Sequence, residues 1–127
     1  METTFTVPGP IPSKKNSKQW IVRGGRKYLV PSDRHAAWYV QAKAAIKVQS
    51  VPRFGEVSAV AISFLPSDRR RHDLSNCAES VMDLLVDMGI LIDDSWWEVP
   101  ALHLDRAELA DIPGAEVTIK GRINIEE

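Results

Sequence analysis

Cysteine is nearly absent. Cys77 stands alone in 127 residues, so no intramolecular disulfide can form and no Cys/His spacing offers a zinc site. The three histidines, His35, His72 and His103, are scattered and read as ordinary surface or hydrogen-bonding side chains. No apolar stretch is long enough to cross a bilayer. The start, Met1-Glu2-Thr3-Thr4, lacks the basic region and apolar run of a signal peptide. Together these absences set the expectation of a cytoplasmic protein with no membrane partner. The marks of several common chemistries are missing too: no GxGxxG, no GxxxxGK[ST] and no GxSxG occurs.

What is present is an ordinary globular composition, of a length that predicts one domain with a core of its own. The net charge of −1 conceals an asymmetry. Residues 1–53 hold ten Lys/Arg against two acids, a balance of +8, whereas residues 54–127 hold six against fifteen, a balance of −9. A basic first half is a natural track for a polyanion, although a mixed solvated surface accounts for the charges equally well.

Period-two and helical patterning divide the chain. Residues 3–7 are β-prone, and Pro8 to Ser13 form a loop stiffened by three prolines. Trp20-Ile21-Val22 and Tyr28-Leu29-Val30 read as a hairpin turning at Gly24-Gly25. Pro31-Ser32-Asp33 caps a helix over about 34–49, whose apolar face is expected at Ala37, Val40, Ala44, Ala45 and Val48, with Trp38 and Ile46 beside it. Residues 57–65 alternate as a strand. A second helix over about 74–88 carries the stripe Leu74, Cys77, Ala78, Val81, Leu85 and Met88 and stops at Gly89. Ile90-Leu91-Ile92 is β-like, Asp93-Asp94-Ser95 is a turn, and residues 97–104 and 115–119 are the last strands. These elements predict an α+β single domain: a small mixed β-sheet with two main helices packed on one face.

The second helix carries the chemistry. Asn76, Ser80, Asp83 and Asp87 fall along one stripe, with Glu79 beside it. Asp73 precedes the helix as a cap or cation ligand, and Asp93-Asp94 follow it. The same pattern is also simply the wet face of an amphipathic helix. Crowded carboxylates, however, are costly unless a proton or cation neutralises them, and oxygen-only ligands suit Mg²⁺ or Mn²⁺. Such an ion activates water and stabilises charge on a phosphodiester. Lys14, Lys15, Asn16 and Lys18, the run Arg69-Arg70-Arg71, and Asn76 are the expected DNA contacts. Trp20, Trp96 and Trp97 are expected to stack on exposed bases, while Trp38 is expected in the core.

Asp73-Leu74-Ser75-Asn76, Asp83-Leu84-Leu85 and Gly89-Ile90-Leu91-Ile92-Asp93-Asp94 resemble the motifs of the RusA family of crossover-junction endonucleases, D-x-D-N-x-x-K, D-x-L and G-h-h-x-D-D, where h is apolar. Pro8 to Asn16 resembles that family's P-x-P-P-S-x-N loop. The resemblance implies a phage or bacterial homodimer that binds four-way DNA junctions and makes paired nicks with Mg²⁺ or Mn²⁺. It places the essential acids at Asp73 and Asp94, with Asp83 and Asp93 close by. Two positions depart: the family's second Asp is Ser75, and its Lys is Glu79. Because Ser75 and Glu79 are one turn apart, Glu79 is expected to supply the lost carboxylate. Asp73, Glu79, Asp83 and Asp94 are then the expected metal ligands, with Asp93 as a further catalytic acid. The alternatives are a junction-binding protein without turnover and a nuclease with another branched-DNA substrate.

Overall fold

The strand residues with alternating apolar character share one side of one sheet. The computed structural model describes residues 1–14 and 18–124. Among them lie β1 (Glu2–Pro8), β2 (Lys18–Arg23), β3 (Arg26–Pro31), α1 (Asp33–Val48), β4 (Phe54–Leu65), α2 (Leu74–Asp87), β5 (Leu102–Arg106) and β6 (Gly114–Ile123). The main sheet has the order β1-β6-β4-β5, and β2 and β3 form a separate hairpin. β6 is antiparallel to β1 and β4, while β4 and β5 are parallel. A parallel pair needs a crossover, and α2 is that crossover. The expected α+β fold with a mixed sheet is therefore the one observed.

Register explains the core. Phe5 pairs with Val117 and Val7 with Ala115, and across β6 Val60 pairs with Ile119 and Ile62 with Val117. All seven are at most 3% exposed, because residues two apart on a strand point to the same face. Both helices cover that face. α2 contributes Cys77, Ala78, Val81, Met82, Leu84 and Leu85 to the core, close to the predicted stripe, although Leu74 at its head is largely exposed. It ends where predicted, with Gly89 at φ 75°, a conformation that favours glycine.

α1 buries a different face from the one expected. Its buried residues are Trp38, Ala42 and Ile46, spaced four apart, while Val40 and Val48 are 72% and 83% exposed. Alanines on every side of this helix blur its periodicity. The largest apolar side chains set the contact, and Ala42 between them allows a close approach to β1.

Two further expectations fail for local reasons. Ile90-Leu91-Ile92 forms no strand: the Ile90 and Leu91 amides fold back to donate to the Leu85 carbonyl at 3.0 and 3.3 Å, and both side chains plug the end of α2. Residues 97–101 are not yet strand either. The amides of Glu98 and Val99 donate to the Ser95 carbonyl, and β5 begins only beyond Pro100, which has no N–H for a ladder.

The proline loop is pinned along the fold. Trp38 Nε1 donates to the Pro8 carbonyl at 2.8 Å, and Ser80 Oγ donates to the Pro12 carbonyl at 2.7 Å. Ser80, expected on the wet stripe, is fully buried, its hydroxyl satisfied by that bond. No described helix is long and apolar enough to cross a membrane.

The reassigned face of α1 is testable by denaturant unfolding. Ile46→Ala is expected to cost about 2–5 kcal/mol, whereas Val40→Ala changes stability by no more than about 0.5 kcal/mol.

Candidate functional site

Helix spacing assembles the site. On α2, Asp83 and Asp87 are four apart; on α1, His35, Tyr39 and Lys43 are four apart, one position on from the buried stripe. The two rows face one another across a cleft of about 630 Å³. His35, Tyr39, Asp83 and Asp87 line it, Lys14 and Lys18 reach it from the basic first half, and Asp93 and Asp94 close it from the loop after α2.

Its charges are arranged in pairs. Lys14 Nζ lies 2.5 Å from Asp83, and Lys43 Nζ lies 2.7 Å from Asp87. Tyr39 donates its hydroxyl to Asp87 at 2.8 Å. The bonds from Lys43 and Tyr39 hold the Asp87 carboxyl below the usual carboxylate range. The Tyr39 hydroxyl is pushed the other way, by partial burial and by that same carboxylate. Burial and the Lys14 ammonium pull the His35 imidazole down, against an opposing pull from Asp83.

The Asp94 carboxyl is pushed up from the usual carboxylate range. Burial contributes most, followed by a hydrogen bond to Asp93 and the negative charges of Asp93 and Asp83. The Asp94 amide also donates to Asp93 Oδ1 at 2.8 Å, which holds the two residues in one tight turn. Two carboxylates, Asp93 and Asp83, thus act on Asp94, and among the described residues Asp83 is the one of the three with a close cation.

The structure brings together Asp83, Asp93 and Asp94 from the expected set, and adds Asp87. It does not bring Asp73 or Glu79 to them. Asp73 caps α2: its Oδ1 accepts from the Ser75 and Asn76 amides at 3.0 and 3.2 Å and from Ser75 Oγ at 2.8 Å. Glu79 is exposed, and neither residue lines the cleft or is among the charges that act on Asp94. Glu79 stands one turn before Asp83 on α2 and is not part of the cleft lining. Among the described residues no three acidic, histidine or cysteine groups converge as a ready metal cage.

The expected DNA contacts divide between two places. Lys14 and Lys18 belong to the acidic cleft. Arg69, Arg70 and Arg71, expected beside the metal site, instead gather with Arg106 around depressions at the opposite end of α2, near Pro66 and Asp68. Asn76 is half-buried and lines none of these cavities. Lys15 and Asn16 lie outside the described residues. Trp38 is buried as expected, and Trp20, Trp96 and Trp97 are 67%, 77% and 84% exposed.

His35, Tyr39, Lys43 and Arg106 were missed by motif and charge reasoning. The first three carried a usable signal, their four-residue spacing. Arg106, distant in sequence from the other arginines, carried none.

Two oxygen donors are enough for Mg²⁺, which keeps several waters and takes its remaining ligands from substrate phosphate. Asp94 and Asp93 fit such an ion, because their mutual repulsion is relieved by a cation between them.

That repulsion sets a pH dependence. Asp94 titrates above its unfolded value, so its contribution to stability is present in acid and is lost as pH rises through the folded value. Asp94→Asn is therefore expected to melt above wild type at pH 7, the gap closing below the ordinary aspartate range. At the other end of α2, Asp73→Ala is expected to cost about 1 kcal/mol of capping energy and Asp73→Asn close to none; thermal unfolding checks both. The chain matches no protein-family model and no curated protein, so the likeness to RusA-like nucleases rests on the residues quoted above.

Proposed function

We propose that this protein is a Mg²⁺- or Mn²⁺-dependent endonuclease acting on four-way junctions or other branched DNA, and that it works as a homodimer whose two clefts nick opposed strands. The observation that carries the reading is the Asp93–Asp94 turn, placed with Asp83 in an acidic cleft that Lys14 and Lys18 also line. Asp94 and Asp93 would hold the cation. When bound, it supplies a Lewis acid for a phosphoryl oxygen and lowers the pKa of a water.

The chain's own residues supply the rest. Lys14 Nζ, paired with Asp83 in the cleft, sets positive charge where the leaving oxygen gains its negative charge as the P–O bond breaks. This cation answers the lysine that is replaced by Glu79 in the motif. Lys18 on the same rim, and Arg69, Arg70, Arg71 and Arg106 at the far end of α2, would hold the flanking phosphates and fix the register of the duplex arms. Lys43 and Tyr39 fix Asp87, so this acid orients the wall of the cleft rather than competing for the ion.

One observation favours a second reading, a junction-binding protein without turnover: no third acid converges on Asp93 and Asp94 as a metal ligand among the described residues.

Incubation with a synthetic four-way junction separates the two. Wild type is expected to cut in Mg²⁺ and to bind intact junction in EDTA. Asp94→Asn is expected to keep binding while losing cleavage on the order of a hundred-fold or more. Lys14→Met is expected to lower the cleavage rate more than the affinity. A wild-type protein that binds and never cuts establishes the second reading, and cleavage at an undiminished rate by Asp94→Asn removes the proposed site.

A further inference from the structure

The β2–β3 hairpin keeps its apolar side chains out of the core: none of its residues joins the buried cluster or packs against it. Register places Trp20 opposite Leu29 and Val22 opposite Lys27, so these four share one face with Lys18. Trp20, Val22 and Leu29 are 67%, 66% and 50% exposed. From Lys18 to Pro31 there are four cations, Lys18, Arg23, Arg26 and Lys27, and no acid. None of the four is ion-paired among the described residues. At the tip, Gly24 and Gly25 have φ of 57° and 76°, and side chains there would meet open space. The base of the hairpin, Lys18 and Pro31, lines the acidic cleft.

An exposed indole on a strand flanked only by cations is matched to a ligand with flat aromatic faces and regular negative charge. Unpaired nucleotides have both. In a duplex the base faces are already stacked, leaving nothing for Trp20 to cover. A second copy packed on this face by two-fold symmetry brings Lys18 and Lys27 against their own copies, and lysine is depleted from such interfaces.

We propose that the β2–β3 hairpin binds unpaired nucleotides next to the cleft, with Trp20 stacked on a base, Lys18 and Lys27 of the same face on the phosphates beside it, and Arg23 and Arg26 at the hairpin tip on phosphates further along the strand. This deepens the nuclease reading and rests on it for the nature of the cleft. It makes open branch points, where strands exchange or fray, the preferred substrate over continuous duplex.

The test uses the full chain in EDTA, with anisotropy of a labelled oligothymidylate and of a duplex of equal length. Trp20→Ala is expected to weaken oligothymidylate binding roughly five- to a hundred-fold, the loss of one stacked base, and to leave duplex binding unchanged. Trp20→Phe is expected to restore most of the loss, which separates stacking from any damage to the hairpin. Arg23→Ala with Arg26→Ala is expected to flatten the salt dependence by roughly 0.7 for each phosphate no longer neutralised. The proposal is overturned if wild type does not bind oligothymidylate, if Trp20→Ala binds it as wild type does, or if Trp20→Ala weakens both ligands equally. It is also overturned if Trp20→Ala turns a dimer into a monomer with DNA affinity unchanged. Junction cleavage in Mg²⁺ by the same wild-type preparation reports on the nuclease reading alone. Cleavage with no effect of Trp20→Ala on binding sinks only the hairpin, and Trp20-dependent binding without cleavage sinks only the nuclease.

Discussion

The parallel pairing of β4 with β5 forces the chain to cross the sheet, and α2 is the crossing. Much else follows from how that helix lies. Its apolar side is sealed against the sheet by Val81, Leu84 and Leu85, each fully buried. Its flank holds the proline loop through Ser80, and its last turns present Asp83 and Asp87 to α1. The loop that returns the chain to β5 then brings Asp93 and Asp94 to the same cleft. A helix that buries one side must show another, and here the shown side is acidic where the incoming N-terminal segment is basic.

Most of that acidity is neutralised in place. Lys14 answers Asp83, and Lys43 with Tyr39 answers Asp87. The Asp93–Asp94 turn is the exception: burial first, and then the neighbouring Asp93, push the Asp94 carboxyl up.

The elements with strong patterning are legible in the sequence. β4, α2, the Gly24-Gly25 hairpin and the stop at Gly89 were readable because period and turn chemistry agree there. α1 was misread because its alanines dilute the contrast between faces, and only packing against β1 reveals that Trp38, Ala42 and Ile46 form the contact. The metal-site acids were read as one cluster because they are close in sequence. A helix separates what sequence groups: Asp73 at its head is engaged in capping, while Asp83 and Asp87 sit more than two turns away, where the returning loop meets them. The pairing of Lys14 with Asp83 was invisible to local reading because the proline loop brings Lys14 across the fold.

Manganese binding, followed by electron paramagnetic resonance on wild type and Asp94→Asn without DNA, tests the acidic cleft most directly. Wild type should immobilise Mn²⁺, and Asp94→Asn should leave the spectrum of the free ion. Equal immobilisation by both proteins, or a free-ion spectrum from both, would contradict the assignment of the Asp93–Asp94 turn as the metal centre.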